Sequence, residues 1–281
     1  MAVTESIAVE NSAAATDVPP VRRWAKARRW ATTAYFVVLV TSIAITGIPE
    51  GRESLLLWVL AGLGTRCIGT SWRRFGRVLI DWIPFTAVLV VYDYSRGIAD
   101  NLGIAAHVRA PVHIDEWLFH GTLPTLWLQQ HLYDPGAARW YDGVVTLIYT
   151  SHFVLMPVAA VILYVRNRSD WKVFISRIIG LSLAGLATYI LVPWAPPWFA
   201  SQDGYIPPIV RLSSRGFQVL HLNHASTLLT NGQAAVNDVA AMPSLHAATA
   251  TVIALYFIPK VRWWWRIPLG CYPLAMGFAL V

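Results

Sequence analysis

Two residues that could do chemistry with phosphate, Ser244 and His246, stand at the start of an apolar run, in the sequence Met242-Pro-Ser-Leu-His246. A proline suits the first turn of a helix, so the sequence predicts a helix over Pro243–Pro259. The start of a helix offers unpaired backbone N–H groups and a positive dipole end, which stabilise a phosphate. An imidazole one turn further on can donate or accept a proton. The alternative is an interfacial histidine that only touches lipid headgroups, beside an ordinary first-turn serine.

The composition indicates that a membrane protein must hold these residues in position. Apolar residues make up 56% of the 281 residues, charged residues make up 13%, and the mean hydropathy is +0.49. This excludes most water-soluble globules and predicts an all-α fold, a polytopic bundle of about six to seven transmembrane helices. The predicted spans are Trp30–Ile48, Ser54–Thr70, Val78–Ser95, Tyr141–Tyr164, Phe174–Val192, Pro243–Pro259 and an incomplete seventh from Ile267.

The positive charges indicate an orientation. Fifteen of the 22 Lys and Arg residues lie before the first predicted span, between the second and third, around the connection of the fourth and fifth, or after the sixth. Short cytoplasmic segments carry such an excess, so the N-terminus is predicted to be cytoplasmic and the His246 end of its helix to face outward. The same asymmetry accounts for the net charge of +7, and a nucleic-acid partner is not needed.

The chain divides into a tail and one domain. Residues 1–29 are predicted to be a disordered cytoplasmic tail, and residues 30–281 a transmembrane domain. Two long segments, Arg96–Ala138 and Pro193–Ala241, fall on the predicted outer side, and their aromatic and apolar content suits interfacial helices. Long loops on one side of a membrane indicate that the working face is there.

The two cysteines predict neither a disulfide nor a metal site. Cys67 and Cys271 both fall in apolar segments and are separated by most of the chain. No spacing typical of metal ligands occurs, so we expect no cofactor.

Three segments in a fixed order resemble a known family. Pro243-Ser-Leu-His246 resembles the second signature of the type 2 phosphatidic acid phosphatase superfamily, whose usual form is Pro-Ser-Gly-His; the Leu variant resembles the inositol phosphorylceramide synthase branch, whose members are inositolphosphotransferases. Pro193-Trp-Ala-Pro-Pro-Trp198 is similar to the Pro-Thr-x-Pro-Pro-Trp segment of that branch. Tyr149-Thr-Ser-His-Phe-Val-Leu-Met-Pro157 is similar to its Tyr-x-x-His-Phe-x-x-x-Pro stretch. The resemblance covers roughly residues 140–281.

The resemblance implies metal-independent phosphoryl transfer through a phosphohistidine. In the superfamily one histidine attacks phosphorus, an aspartate orients it, and the histidine of the second signature protonates the leaving oxygen. Carried over by position, His246 is the general acid, and Ser244 with nearby backbone N–H groups binds phosphate oxygens. His152 and Tyr149 would line the pocket, although a histidine on such a helix is as often an interhelical hydrogen-bond donor.

The sequence departs from the superfamily in its basic residues. No Lys-x6-Arg-Pro run precedes the second signature, so the phosphate must find its basic partner elsewhere. Arg96, which follows Tyr92-Asp93 at the outer end of the third span, is the leading candidate, with Arg211 and Arg215 behind it. For each arginine the alternative is a headgroup contact or a salt bridge.

A second departure concerns the His-x3-Asp signature that supplies the nucleophile, since no His or Asp follows His246. The last apolar segment, Ile267–Val281, would extend only ~22 Å as a helix, short of the ~30 Å hydrocarbon core. We therefore expect a chain truncated before the third signature. As given, the 281 residues would lack the nucleophile.

The sequence leaves two classes of function open. The first is a lipid phosphotransferase of the plasma membrane or an equivalent membrane, acting at its outer face, with a lipid or glycan hydroxyl as the acceptor. The resemblance implies phosphatidylinositol as its natural donor. Its hydrolase version would use water on phosphatidic acid or a polyprenyl phosphate. The second is a non-catalytic lipid-binding protein, which would be preferred if the chain truly ended at Val281.

Overall fold

The computed structural model describes residues 24–46, 52–99, 106–220 and 242–281, and most of them are helical. The described helices, labelled in chain order, are α1 (Ala25–Thr46), α2 (Arg52–Cys67), α3 (Trp72–Ala99), α4 (Arg109–Leu118), α5 (Pro124–Leu132), α6 (Trp140–Arg166), α7 (Arg168–Leu191), α8 (Pro197–Gln202), α9 (Gly216–Val219), α10 (Leu245–Phe257) and α11 (Trp263–Leu280). A short 3₁₀ turn, Ile258–Lys260, follows α10. No β-strand occurs within the described ranges, which confirms the all-α prediction there.

Each of the predicted spans overlaps a helix. Two of the described helices, α6 and α7, are long and apolar enough to cross a membrane, and α10 is a shorter apolar helix. The polytopic bundle thus rests on two helices that meet the criteria of length and composition, while the total of six to seven spans stays a prediction. α1 begins at Ala25, inside the segment 1–29 predicted as a tail, and residues 1–23 lie outside the described residues.

The chain separates into two compact units, and residues 1–45 and 56–84 form the first. Its helices α1 and α2 pack closely because Gly62 faces Tyr35, whose ring would lie 2.9 Å from an added Cβ. The Tyr35 hydroxyl donates a hydrogen bond to the Trp58 carbonyl at 3.0 Å, and the Thr32 and Thr65 hydroxyls are 3.1 Å apart. A small residue opposite a ring, with hydroxyl hydrogen bonds beside it, is typical of helices that associate within a membrane.

The second unit, residues 46–55 and 85–281, contains the core around α10. α10 packs against α6, α7 and α11. Phe174 on α7 and Met276 on α11 are fully buried in this unit. The ring of Phe174 meets Tyr256 of α10 edge-on at 5.2 Å, an arrangement that aromatic pairs favour.

A polar cluster fastens one end of α10 to the start of α7. Lys260 Nζ donates hydrogen bonds to Asp170 Oδ1 at 3.1 Å and to the Tyr256 hydroxyl at 2.9 Å. The Tyr256 hydroxyl in turn donates to the backbone carbonyl of Asp170 at 3.0 Å. The hydrogen bond to Tyr256, followed by that to Asp170, raises the pKa of Lys260 above its usual value. The cluster holds the end of α10 that lies away from His246.

The two segments predicted on the outer side pair with each other. The backbone N–H of His107 donates to the Pro193 carbonyl at 2.8 Å, and that of Ala195 donates to the His107 carbonyl at 3.2 Å. The Gln129 side-chain amide both donates to and accepts from the backbone of Val210, each at 2.9 Å. Helices α4 and α5 occupy the first of these segments, and their position at a membrane surface stays a prediction.

Replacing Phe174 with alanine should destabilise the second unit. The substitution leaves a cavity in a fully buried site and removes the ring contact with Tyr256, an effect of about 3–5 kcal/mol. Thermal unfolding in detergent would measure it, with Val173→Ala as the matched control, because the neighbouring Val173 is 46% exposed. Equal losses of thermal stability in both variants would contradict this packing.

Candidate active site

The start of α10 is built around a serine cap. Ser244 is the N-cap residue, and its hydroxyl accepts a hydrogen bond from the Ala247 N–H at 3.5 Å. The helix therefore begins at Leu245, two residues later than the sequence predicts, because a serine oxygen satisfies a first-turn N–H group that a proline cannot. His246 thereby lies in the first turn, where backbone N–H groups point out of the helix end.

Helix α7 holds this helix start in place. The Tyr189 hydroxyl donates a 2.5 Å hydrogen bond to the carbonyl of Pro243, immediately before the cap. Gly185, one turn earlier on α7, leaves room for Leu245, whose Cδ2 would lie 3.0 Å from an added Cβ. These two contacts fix the backbone on both sides of Ser244, and the direction in which His246 leaves the helix follows from them.

Three side chains of α6 surround the His246 ring. Tyr149 stacks on it with ring centroids 4.8 Å apart and planes 17° apart. His152 lies 4.1 Å away at a 34° tilt, and Phe153 meets the ring edge-on at 5.6 Å. We call Tyr149, His152 and Phe153 the ring cage. His152 and Phe153 lie three and four residues after Tyr149, so both are neighbours of Tyr149 on one side of α6.

The ring cage brings two imidazoles together in a largely enclosed site. Nδ1 of His152 and Nε2 of His246 are both buried from solvent. Imidazoles can carry or release a proton near neutral pH, and aromatic faces attract a cation placed over them. The arrangement can therefore move a proton onto or off a group bound at the start of α10.

Helix α11 fastens the same part of α6. The Ser151 hydroxyl lies 2.8 Å from the Tyr272 hydroxyl, and it also donates to the Ile148 carbonyl at 2.6 Å. Tyr272, Tyr189 and Phe153 are not among the site residues that the sequence predicts. For the two tyrosines the sequence does contain a signal, a phenol side chain within an otherwise apolar helix. A buried hydroxyl needs a hydrogen-bond partner, so such a residue indicates a polar contact with another helix.

The three candidate arginines have different surroundings. Arg211 is exposed, with its guanidinium 4.4 Å over the Trp198 ring. Arg215 is held in an ion pair with Asp142, Nε to Oδ2 at 3.3 Å. Arg96 falls within α3, but its side chain lies outside the described residues.

Comparisons with known proteins identify the family of the chain. Residues 112–281 match the family model of the PAP2 superfamily, the type 2 phosphatidic acid phosphatases. A curated relative, the phosphoinositol dihydroceramide synthase of Bacteroides thetaiotaomicron, is 26% identical over 252 residues, which is 83% of this chain and 77% of the relative. No solved structure matches the chain.

These matches confirm the resemblance to the superfamily and to its inositol phosphorylceramide synthase-like branch. They support a membrane enzyme that acts on lipid phosphates, as a phosphotransferase or a phosphatase. The family match includes the ring cage, the capped start of α10 and α11. The chain belongs to the PAP2 superfamily.

Proposed function

We propose that this protein is a lipid phosphotransferase that moves inositol phosphate, or a related phosphoryl group, from a phospholipid to a hydroxyl acceptor at the outer membrane face. The observation that carries the proposal is the position of His246. It lies in the first turn of a serine-capped helix, and its ring centroid is 4.1 Å from that of a second imidazole, His152. A helix start binds an anion, and an adjacent histidine can protonate the group that leaves it.

Each residue near the helix start has a role in this proposal. His246 donates a proton to the leaving oxygen of the donor lipid while the nucleophilic histidine that the family resemblance implies takes the phosphoryl group. His246 later accepts a proton from the incoming hydroxyl, as the bond from phosphorus to that nucleophile breaks and the bond to the acceptor oxygen forms. Ser244 and the first-turn N–H groups of α10 bind the phosphate oxygens, where negative charge grows in the transition state. His152 and Tyr149 line the pocket and orient the His246 ring, which both of them contact.

Arg211 and Arg96 are the proposed basic partners of the phosphate. Within the described ranges no carboxylate pairs with Arg211, whose exposed guanidinium is kept in place by the Trp198 face. A guanidinium stacked in this way still presents its N–H edge to an anion. Arg96 keeps the role that its position in the sequence predicts, beside Tyr92-Asp93 at the end of α3.

Transfer to a hydroxyl is proposed over hydrolysis. The name of the relative describes the synthesis of a phosphoinositol dihydroceramide, and this similarity supports a phosphatidylinositol donor with a lipid hydroxyl acceptor here. In the balanced reaction, the bond between phosphorus and the diacylglycerol oxygen breaks and a bond to the acceptor oxygen forms. The acceptor proton ends on diacylglycerol. Phosphatidic acid or polyprenyl phosphate hydrolysis is the second candidate, since water would replace the acceptor at the same site.

Replacing His246 with alanine should remove turnover. Loss of a general acid or base lowers rates by about 100- to 10,000-fold. Diacylglycerol release from phosphatidylinositol, by protein made from its native gene, would measure the effect. His113→Ala is the control, because His113 is exposed and pairs with the surface residue Glu116. A His246→Ala protein that extracts normally and keeps full activity would refute the assigned role.

Chelation should leave the activity unchanged. In the proposed mechanism charge is stabilised by N–H groups and arginine, and the proton moves through imidazole, so no step needs a metal ion. The check is the rate of diacylglycerol release before and after dialysis against EDTA. Inhibition that added divalent metal reverses would argue for a metal-dependent mechanism instead.

A further inference from the structure

We infer that Arg215 is a positioning residue. It fastens the second of the two segments predicted on the outer side, which begins at Pro193 and is called the second outer segment, to the first turns of α6. It thereby supports the helix face that carries the ring cage. The catalytic part of this inference rests on the function proposed above. Arg215 is thereby assigned a different role from Arg211 and Arg96, although the sequence suggested all three as partners of the phosphate.

The Arg215 guanidinium is surrounded by acceptors from two other segments. Its Nε donates to Asp142 Oδ2 at 3.3 Å, and its Nη2 donates to the backbone carbonyls of Asp134 and of Ala137, the latter at 2.7 Å. The ring of Tyr133 lies 4.7 Å from its central carbon. The Arg215 and Asp142 side chains are only 14% and 13% exposed. Charges removed from water to this extent need their partners, and loss of either one is costly.

A second set of contacts next to Arg215 fastens the same two segments. The Thr146 side chain is fully buried, and its hydroxyl donates to the Ser213 carbonyl and accepts from the Gly216 N–H, both at 3.0 Å. Gly216 is pressed against α6 so closely that an added Cβ would lie 2.0 Å from the Asp142 carbonyl oxygen. We call the contacts of Asp142, Thr146, Arg215 and Gly216 the outer clamp.

The outer clamp and the ring cage share one face of α6. Asp142, Thr146, Tyr149 and Phe153 follow at spacings of three and four residues, which place side chains on the same helical face. The rise from Asp142 to Tyr149 is about 10 Å, or two turns. The clamp thus packs the second outer segment onto the helix face whose next residues contact His246.

The donors of Arg215 explain why it does not serve as the phosphate ligand. Nε and Nη2 are engaged with oxygens of the protein, and one face of the planar guanidinium is covered by the Tyr133 ring. A phosphate bound to the Nε and Nη2 edge would have to replace Asp142, whose Oδ2 also accepts from the backbone N–H of Arg139 at 2.7 Å. Arg211 has no such ties within the described part of the chain.

A double-mutant cycle on Asp142 and Arg215 tests the inference. Asp142→Asn, Arg215→Met and the double variant would be made in the native-gene protein, with thermal stability in detergent and the kcat and KM for phosphatidylinositol as readouts. Kinetics would be measured well below each Tm, so that unfolding does not enter kcat. We expect both single variants to lower Tm, and the double variant to lose no more than the worse single one, because the residues form one unit.

The kinetic result separates positioning from phosphate binding. A positioning role predicts that either single variant lowers kcat by about 10-fold or more with KM within about twofold, since misplaced groups slow the chemical step. Thr146→Val, which leaves the Arg215 side chain unchanged, should show the same pattern. Arg139→Gln should change little, because the Arg139 pair with Asp134 is exposed.

Two outcomes would overturn the inference. One is a KM raised at least about 10-fold in Arg215→Met alone, with Asp142→Asn and Thr146→Val unchanged, which would make Arg215 a phosphate ligand. The other is additive Tm losses in the cycle, which would show that the two residues act independently. The Tm cycle needs no turnover, so it tests the clamp even if phosphatidylinositol transfer is absent and the proposed function fails.

Discussion

The contact between the start of α10 and the first half of α6 is the interaction on which the rest of the site depends. It brings the ring centroids of His246 and His152 to 4.1 Å from each other and stacks the His246 ring on Tyr149. In the proposed mechanism, neither helix could do the chemistry alone. α10 supplies the capped start with its N–H groups, and α6 supplies the rings that hold the imidazole. The catalytic geometry is therefore a property of helix packing, and any change that rotates α6 against α10 alters it.

Polar contacts surround this junction in helices that are otherwise apolar. Tyr189 of α7 holds the chain before Ser244, and Tyr272 of α11 meets Ser151 beside His152. Lys260 fastens the other end of α10 to Asp170. Apolar surfaces pack in a membrane without a strong hydrophobic drive between helices, so hydrogen bonds and close backbone approaches set the register. In the second unit, such hydrogen bonds lie near both ends of α10. They therefore limit displacements of this helix that would move His246.

The sequence predicted the positions of the helices, and its motif predicted the family, but the contacts between side chains of different helices could not be predicted. Long apolar runs predict both ends of α6 to within two residues and the end of α7 to within one, because a bilayer requires that length. α7 begins six residues before the predicted Phe174, at Arg168, because its first turns are polar and carry no hydropathy signal. The motif identified His246, and the family match confirms the superfamily. The stacking of Tyr149 on His246 depends on the packing of helices far apart in sequence, and no local pattern encodes it. The partner of Arg215 was hidden for the same reason, since Asp142 lies at the start of a different helix.

The most direct test of the account follows labelled phosphorus from phosphatidylinositol in vesicles that contain the native-gene protein, with and without a lipid that bears a free hydroxyl. The account predicts that the label moves onto the hydroxyl lipid, that diacylglycerol appears in equal amount, and that both depend on the acceptor. Label released only as water-soluble phosphate would support the phosphatase alternative. Label that stays entirely on phosphatidylinositol with the acceptor present would contradict the central claim.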